Sequence, residues 1–254
     1  MVRSSWGDGM SYRLFEGDCL KIMPQIPTGS INMILCDLPY GTTRCDWDTA
    51  IPLELLWEQY KRIIKPNGAI VLTGCEPFSS LLRISNLDMF KYDWIWDKVK
   101  GTGFLNAKRQ PMRNHEIVSV FYEGQSVYNP QMTSGHCRKT AFRLEKSQTE
   151  VYGKMKNNLQ YDSTDRYPRS IQIFSMDTQK EHLHPTQKPV ALFEYLIRTY
   201  TNESDTVLDN CAGSGTTAVA AKRCGRNSIL IEQSPEYCQV IRNRMADLNN
   251  KLFA

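Results

Sequence analysis

Short apolar runs alternate along this chain with amphipathic stretches, and each run stops at a turn residue or an acid. Ser30 to Cys36 is a nearly continuous apolar run that ends at Asp37. Ala69 to Thr73 is another, preceded by an amphipathic stretch over 53–65 and the turn signal Pro66-Asn67-Gly68. Tyr92 to Trp96 and Ile117 to Phe121 read as two further strands. Later, Thr206 to Leu208 runs into Asp209 and Ile229 to Ile231 into Glu232, each ahead of a helical stretch. Residues 189–200 carry an apolar stripe at Val190, Phe193, Ile197 and Tyr200. Residues 234–252 open with Ser234-Pro235-Glu236, which supplies an N-cap, a proline at the first helical position and an acid in the first turn. The stripe of that helix is expected at Tyr237, Ile241, Met245, Leu248 and Leu252. Strands that alternate with helices predict an α/β fold whose mainly parallel sheet is covered on both faces. Residues 123–183 break the pattern, being polar, poor in periodicity and mixed in Arg, Lys, Gln and Tyr, and they read as an insertion.

Composition adds limits more than direction. The chain has 254 residues, enough for one α/β domain with a modest insertion, and a net charge of +4, which permits a polyanionic partner without demanding one. The eight cysteines include no Cys-x-x-Cys pair, and the adjacent His136 and Cys137 lack a second pair at zinc-like spacing, so reduced thiols and no metal are expected. No signal peptide and no membrane-spanning run is read from the chain, which is expected to be soluble and cytoplasmic, in a bacterial or phage-infected cell.

Two segments carry chemistry. Asp37-Leu38-Pro39-Tyr40 follows a strand directly, and ligands of open α/β sheets bind beyond the carboxyl ends of strands. An amino group on a nucleobase is a poor nucleophile because its lone pair is delocalised into the ring. A carboxylate and a backbone carbonyl can accept its two N–H bonds, a proline leaves carbonyls free, and an aromatic ring gives an extruded base a face to stack on. Asp37, Pro39 and Tyr40 fill those roles, although a strand ending in an acid and a turn is the commoner meaning of four such residues taken alone. The second segment, Asp209-Asn210-Cys211-Ala212-Gly213-Ser214-Gly215-Thr216-Thr217, lies between a strand and a helix, with Glu232 closing the next strand. Its glycines allow a tight turn and close approach of a ligand, and Glu232 can accept ribose hydroxyls. No Lys-Ser/Thr follows the glycines, which favours a nucleoside cofactor over a nucleoside triphosphate.

These two segments, in this order, resemble the amino-group DNA methyltransferases of the beta arrangement. Their catalytic Asp-x-Pro-Tyr motif precedes the cofactor loop, a circular permutation of the usual Rossmann-like S-adenosylmethionine-dependent methyltransferase fold. The resemblance implies a catalytic domain over 1–122 and 184–254 and a target-recognition region over 123–183. His184-Pro185-Thr186-Gln187-Lys188-Pro189 resembles the family motif that holds the methionine end of the cofactor, Gly17-Asp18 matches a position that contacts its adenine, and Asn114-His115-Glu116-Ile117 resembles the strand start behind the catalytic pocket. The implied cofactor-binding set is Asp18, Thr186, Gln187, Lys188, Asp209, Ala212, Gly213, Ser214, Gly215, Thr216 and Glu232, and the implied cofactor S-adenosylmethionine. Leu38 replaces a proline common in the family, and Asn210-Cys211 replaces Pro-Phe, which removes an aromatic contact to the cofactor.

The expected partner is double-stranded DNA, with the state of assembly open between monomer and homodimer. Lys100, Lys108, Arg109 and Arg113 lie in an acid-free run with Gly101 and Gly103, and read as a phosphate-holding loop beside the site; a solvated basic face explains any one of them equally well. Arg138 and Lys139 are the candidates from the insertion. The resemblance implies methylation of adenine N6, with cytosine N4 as the rival. Cytosine C5 chemistry is disfavoured because no Pro-Cys dipeptide occurs. A protein-glutamine methyltransferase would carry its motifs in the reverse order, and RNA is disfavoured for want of a separate RNA-binding module. A nicotinamide-dependent oxidoreductase would leave Asp37–Tyr40 unexplained, and a catalytically silent DNA-binding module would have no use for it. The whole reading requires Asp37 and Gly213 to share one cleft.

Overall fold

A computed structural model of the chain describes residues 12–40, 51–143, 148–149, 153–154, 159–176 and 187–252. The chain divides into two compact units, one of residues 1–129 and 170–254 and a second from Pro130 to Arg169. The first unit holds strands β1 (Tyr12–Glu16), β2 (Ile31–Asp37), β3 (Ile64–Gly74), β4 (Phe90–Thr102), β5 (Arg113–Phe121), β10 (Ile171–Ile173), β11 (Thr206–Asp209) and β12 (Asn227–Glu232). Its helices are α1 (Cys19–Ile22), α2 (Leu53–Ile63), α3 (Phe78–Ile84), α4 (Val190–Tyr200), α5 (Thr216–Arg223) and α6 (Pro235–Leu252).

Among the described residues the eight strands form one sheet in the order β1-β12-β11-β2-β3-β5-β4-β10. Neighbours run parallel except at β5, which is antiparallel to both β3 and β4. The period-two alternation of a strand sorts its side chains between two layers. Met33 and Leu35 of β2, with Ala69 and Val71 of β3, face α4 and α5. Ile34 and Cys36, with Ile70 and Leu72, face α2 and α3. Both faces are covered, which is why these strands read as unbroken apolar runs. This is the permuted Rossmann-like arrangement that the order of the motifs implied.

Helix α4 buries its expected stripe and α6 part of its own, with Leu248 half-buried and the Leu252 side chain outside those described. Val190, Phe193, Ile197 and Tyr200 are all buried on α4. On α6 the buried positions are Cys238, Ile241 and Met245, and Tyr237 turns toward the carboxyl ends of the strands instead. Ser234 caps that helix, accepting the Tyr237 N–H at 3.4 Å.

Two elements differ from expectation. The short strand β1, Tyr12–Glu16, hydrogen-bonds along β12 at the sheet edge, with Tyr12 and Leu14 against one core layer and Phe15 against the other, so Gly17 and Asp18 follow a strand. The segment Pro66-Asn67-Gly68 is an irregularity inside β3 and not a separate turn; a Cβ on Gly68 would stand 2.8 Å from the Asn32 carbonyl oxygen. The second compact unit, Pro130–Arg169, falls inside the 123–183 stretch. Asn129 is tied to the first unit by its N–H on Thr199 O, 2.7 Å, and its side chain on Arg198 O and Thr201 O, while β10 adds a parallel edge strand to β4. The second unit contains the antiparallel pairs β6 (Lys139–Arg143) with β9 (Leu159–Ser163) and β7 (Gln148–Thr149) with β8 (Gly153–Lys154).

One buried polar contact fastens α4 to the sheet. The Trp94 indole N–H donates to the Tyr200 hydroxyl at 2.6 Å, and Tyr92 shares that hydroxyl at 3.0 Å. Tyr200→Phe strands the indole donor in the core and is expected to lower the unfolding free energy by about 1–3 kcal/mol in denaturant titration.

Candidate active site

Strands β11 and β2 are hydrogen-bonded neighbours in the middle of the sheet, yet the chain leaves them in opposite directions, from β11 to β12 on one side and from β2 to β3 on the other. That divergence opens a crevice beyond their carboxyl ends, the place where ligands of open α/β sheets bind. A cleft of about 1190 Å³ lies there. Asp37, Leu38, Pro39 and Tyr40 line it together with Asp209, Ala212, Gly213, Ser214 and Glu232, so the two motifs, far apart in sequence, meet.

Asp37 is held by three elements. Its Oδ1 accepts the Tyr40 hydroxyl at 2.6 Å and the Thr73 hydroxyl from the end of β3. Its Oδ2 faces the Lys188 ammonium at 2.8 Å. Lys188 also meets Glu116 Oε2 at 3.1 Å, and Lys98 meets Glu116 Oε1 at 3.3 Å. The result is an alternating row of charges, Lys98, Glu116, Lys188 and Asp37, of which both lysines are buried. Burial alone pulls the Lys188 ammonium down, but Asp37, Tyr40 and Glu116 together hold it well above the ordinary lysine value. The Tyr40 phenol is pushed up by burial and by the Asp37 charge, so it stays a donor. The Tyr40 ring stacks on Phe78 with centroids 5.0 Å apart, and Lys188 lies 5.7 Å from its centre.

Lys188 was expected with the residues that hold a cofactor. Its side chain braces the Asp37 carboxylate, while its carbonyl accepts from Thr216 Oγ1 at 3.5 Å on the Gly-rich loop. Thr73 of β3 and Phe78 of α3 stand behind Asp37 and Tyr40, and Glu116 of β5 lines the cleft; of the three only Glu116 falls in a stretch the sequence singles out, the strand start at 114–117.

The Gly-rich loop is built around two carboxylates. Glu232 receives the Gly213 N–H at 2.8 Å on one oxygen and the Ser234 N–H at 2.8 Å on the other. Each oxygen keeps a lone pair for a further donor. Burial raises the Glu232 carboxyl above its ordinary value. Asp209 accepts the Cys211 N–H at 3.1 Å and the Thr217 hydroxyl at 2.5 Å, and burial pushes it up to about 6. Gly213 and Gly215 have φ of +50° and +81°, and a Cβ on Gly215 would come within 2.9 Å of Ile241. Gly215 is therefore a turn residue packed on α6, whereas Gly213 lines the cleft. Gln187 lines the cleft and lies 3.5 Å from the Ser214 hydroxyl, and Ala212 and Thr216 complete the buried part of the loop. Asp18 lines the cleft, exposed, and caps α1 through the Leu20 N–H at 2.9 Å. Thr186, with His184 and Pro185, lies outside the described residues.

The departure at Asn210-Cys211 has its own support. The Tyr60 hydroxyl, reaching from α2, donates to Asn210 Oδ1 at 2.5 Å in a buried position. Cys211 hydrogen-bonds through its thiol with Cys19 and Cys36, which fills the space with small apolar groups.

The basic candidates separate into three groups. Lys98, at the start of the acid-free run, is buried on Glu116 and belongs to the pocket. Lys100, Lys108, Arg109 and Arg113 are exposed on the hairpin of β4 and β5, and Arg113 reaches the cleft wall. In the second unit Lys139 is exposed at the start of β6, whereas Arg138 is clamped by both oxygens of Asp162 at 2.7 and 2.6 Å. Arg166 is a brace of that unit, donating to the carbonyls of Cys137, Ser163 and Asp165. Tyr128 packs on Tyr200 in the first unit, with ring centres 6.2 Å apart, and is no part of the insertion. Tyr152 and His182 lie outside the described residues.

A DNA methylase family model matches residues 31–243, and the chain belongs to that family, the amino-group DNA methyltransferases that act on adenine N6 or cytosine N4. It is 28% identical over 253 residues to the type II methyltransferase M.HpaI of Haemophilus parainfluenzae, covering 93% of this chain and 74% of that one. M1.MboII of Moraxella bovis is 27% identical, with 89% and 93% covered. Among solved structures, M1.HpyAVI crystallised with S-adenosylmethionine superposes with a TM-score of 0.63 at 24% identity, covering 92% of this chain and 98% of that one. The cytosine-N4-specific PvuII DNA methyltransferase gives 0.64 at 17% identity, with 94% and 89% covered, and shares the fold. No helix among the described residues is long and apolar enough to cross a membrane.

The Asp209 carboxyl has a thermodynamic signature. Its folded value of about 6 lies above the unfolded value of about 3.9, so the folded state binds that proton more tightly. Its contribution to stability is full below the unfolded value and is lost as the pH rises through the folded one. The melting temperature of the wild type relative to Asp209→Asn, which cannot titrate, is expected to fall between about pH 4 and pH 7. A difference that is flat with pH contradicts the assignment.

Proposed function

We propose that this chain transfers a methyl group from S-adenosylmethionine to the N6 amino group of adenine in double-stranded DNA. The observation that carries the reading is the single cleft in which Asp37 and Tyr40 stand opposite Gly213 and Glu232. The donor set suits a nucleoside: two carboxylate oxygens on Glu232 for ribose hydroxyls, the Asp18 turn beside it, and the apolar Ile231 and Cys211 for a purine ring. S-adenosylmethionine, when bound, supplies an electrophilic methyl group.

The residues of the chain act on the amine. With the target base drawn from the duplex into the cleft, its amino N–H takes the place on Asp37 Oδ1 that the Tyr40 hydroxyl holds. The Leu38 or Pro39 carbonyl accepts the second N–H, and the ring of Tyr40 stacks on the base. Lys188 stays on Oδ2 and keeps the carboxylate in place, with Glu116 and Lys98 behind it. Two directed acceptors draw the nitrogen lone pair out of conjugation, and rate comes from alignment and from hydrogen bonds that strengthen as charge develops. The N–C bond would form as the methyl's bond to sulfur breaks, S-adenosylhomocysteine would leave, and one amine proton would pass to water by way of the acceptor that holds it; no covalent adduct with the protein is required. The initial aspartate of the motif, by the family resemblance, favours adenine. Lys100, Lys108, Arg109 and Arg113 hold backbone phosphates, and the second unit, with Lys139, reads the sequence. Arg138 contributes there only if it leaves Asp162.

Nucleoside analysis of DNA treated with the protein and S-adenosylmethionine is expected to yield N6-methyladenine. N4-methylcytosine would transfer the same geometry to the rival base, and an absence of any methylated nucleoside would overturn the reading. Asp37→Ala is expected to bind DNA normally and lose roughly 10²–10³-fold in kcat, as removal of one directed transition-state group does elsewhere.

A further inference from the structure

The hairpin of β4 and β5 continues past the sheet on the side of the cleft. Asp97 pairs with His115, the chain bulges through Val99 at φ 67°, and Thr102 pairs with Arg113 before the tip. Thr102 and Arg113 line the cleft, so the tip rises from its wall. At the tip, Phe104 and Leu105 are 78% and 96% exposed. The backbone beneath them is well bonded: Asn106 N–H to Gly103 O at 2.9 Å, Ala107 N–H to Phe104 O at 3.0 Å, and Arg109 N–H to Asn106 O at 2.8 Å. A hydrogen-bonded turn thus presents two large apolar side chains that no described residue covers.

Their surroundings choose the partner. From Lys98 to His115 the sequence contains no acid, and Lys108 and Arg109 follow the pair within one turn of chain. A surface that is apolar at its tip and cationic at its flanks matches a partner with anionic flanks and an apolar interior, which is the geometry of stacked bases between two phosphate backbones. A second copy of this chain would have to bring an acidic rim to the same place.

We propose that Phe104 and Leu105 form a wedge that enters the DNA stack at the position vacated by the extruded base. The inference rests on the reading of the chain as a DNA methyltransferase acting on an extrahelical base. The cations of the hairpin fix the tip on the backbone, and the apolar pair replaces the stacking that the departing base gives up.

The test uses the full chain and a synthetic duplex bearing the methylated site, once product mapping has identified it, with 2-aminopurine at the target position. Wild-type protein is expected to raise the fluorescence. The double variant Phe104→Ser, Leu105→Ser is expected to bind with the same salt dependence, to lose most of the rise, and to methylate the natural duplex on the order of tenfold more slowly. A mismatch opposite the target, which weakens the base's hold in the helix, is expected to restore its rate, and Phe104→Trp with Leu105→Met to keep wild-type behaviour. An undiminished fluorescence rise in the serine variant overturns the wedge. So does a loss that the mismatch leaves uncorrected, or a wild-type dimer that the serine variant abolishes. Failure of the wild type to methylate any DNA strikes the functional reading itself, and with it this inference.

Discussion

β11 and β2 lie side by side and parallel, with their carboxyl ends at one edge of the sheet, and the chain departs from them in opposite directions. Everything chemical in the molecule follows from that arrangement. The divergence leaves a gap, and each strand ends in an aspartate that borders it. Asp209 turns inward, accepts bonds from its own loop and stays largely desolvated, so it shapes the Gly-rich turn. Asp37 faces the cleft with Lys188 beside it, so its charge is paired at the wall of the cavity without a loop of its own to fold. Two carboxylates of the same type are given different work by their surroundings.

The charge row from Lys98 to Asp37 explains how a carboxylate can stand at the mouth of an apolar pocket. Trp96 and Phe193 line the same cleft, and an unpaired anion there would be costly. Lys188 offsets that cost, but a buried ammonium shared by two carboxylates needs its own balance, which Lys98 supplies from β4. Residues from four parts of the chain must be in place together for the pocket to exist. This couples catalytic competence to the folding of the sheet, since β2, β4, β5 and the segment ahead of α4 each contribute one charge.

Much of this was legible from sequence because it is local. Apolar runs covered on both faces mark β2, β3, β11 and β12, and the residues after them mark the site. What escaped was set by contacts distant in sequence or too weakly patterned. Strand β1 is five residues long and half-buried at a sheet edge, and Leu14 and Phe15 make too short an apolar run to announce it. The antiparallel direction of β5 depends on its partners, since a run of apolar residues has no arrow. Lys188 belongs to a motif associated with the cofactor, yet its ammonium reaches Asp37, a pairing that spacing along the chain cannot disclose. Lys98 sat within a basic run and proved to be interior, because Glu116 faces it across the hairpin. Residues 123–129 and 170–176 are polar and look like loop, although Asn129 and β10 are stitched to the sheet by backbone bonds.

Those stitches also govern how the chain can diversify. Asn129 and Ser170 are each anchored in the first unit, the former on Thr199 and the latter through the Ile95 N–H at 2.8 Å. The stretch between them leaves and returns at fixed moorings, and closure entropy grows only slowly with loop length. Residues 130–169 can therefore be lengthened, trimmed or exchanged for an unrelated segment without moving a strand of the sheet. Variation in that stretch is thereby separated from the strands that carry the cleft.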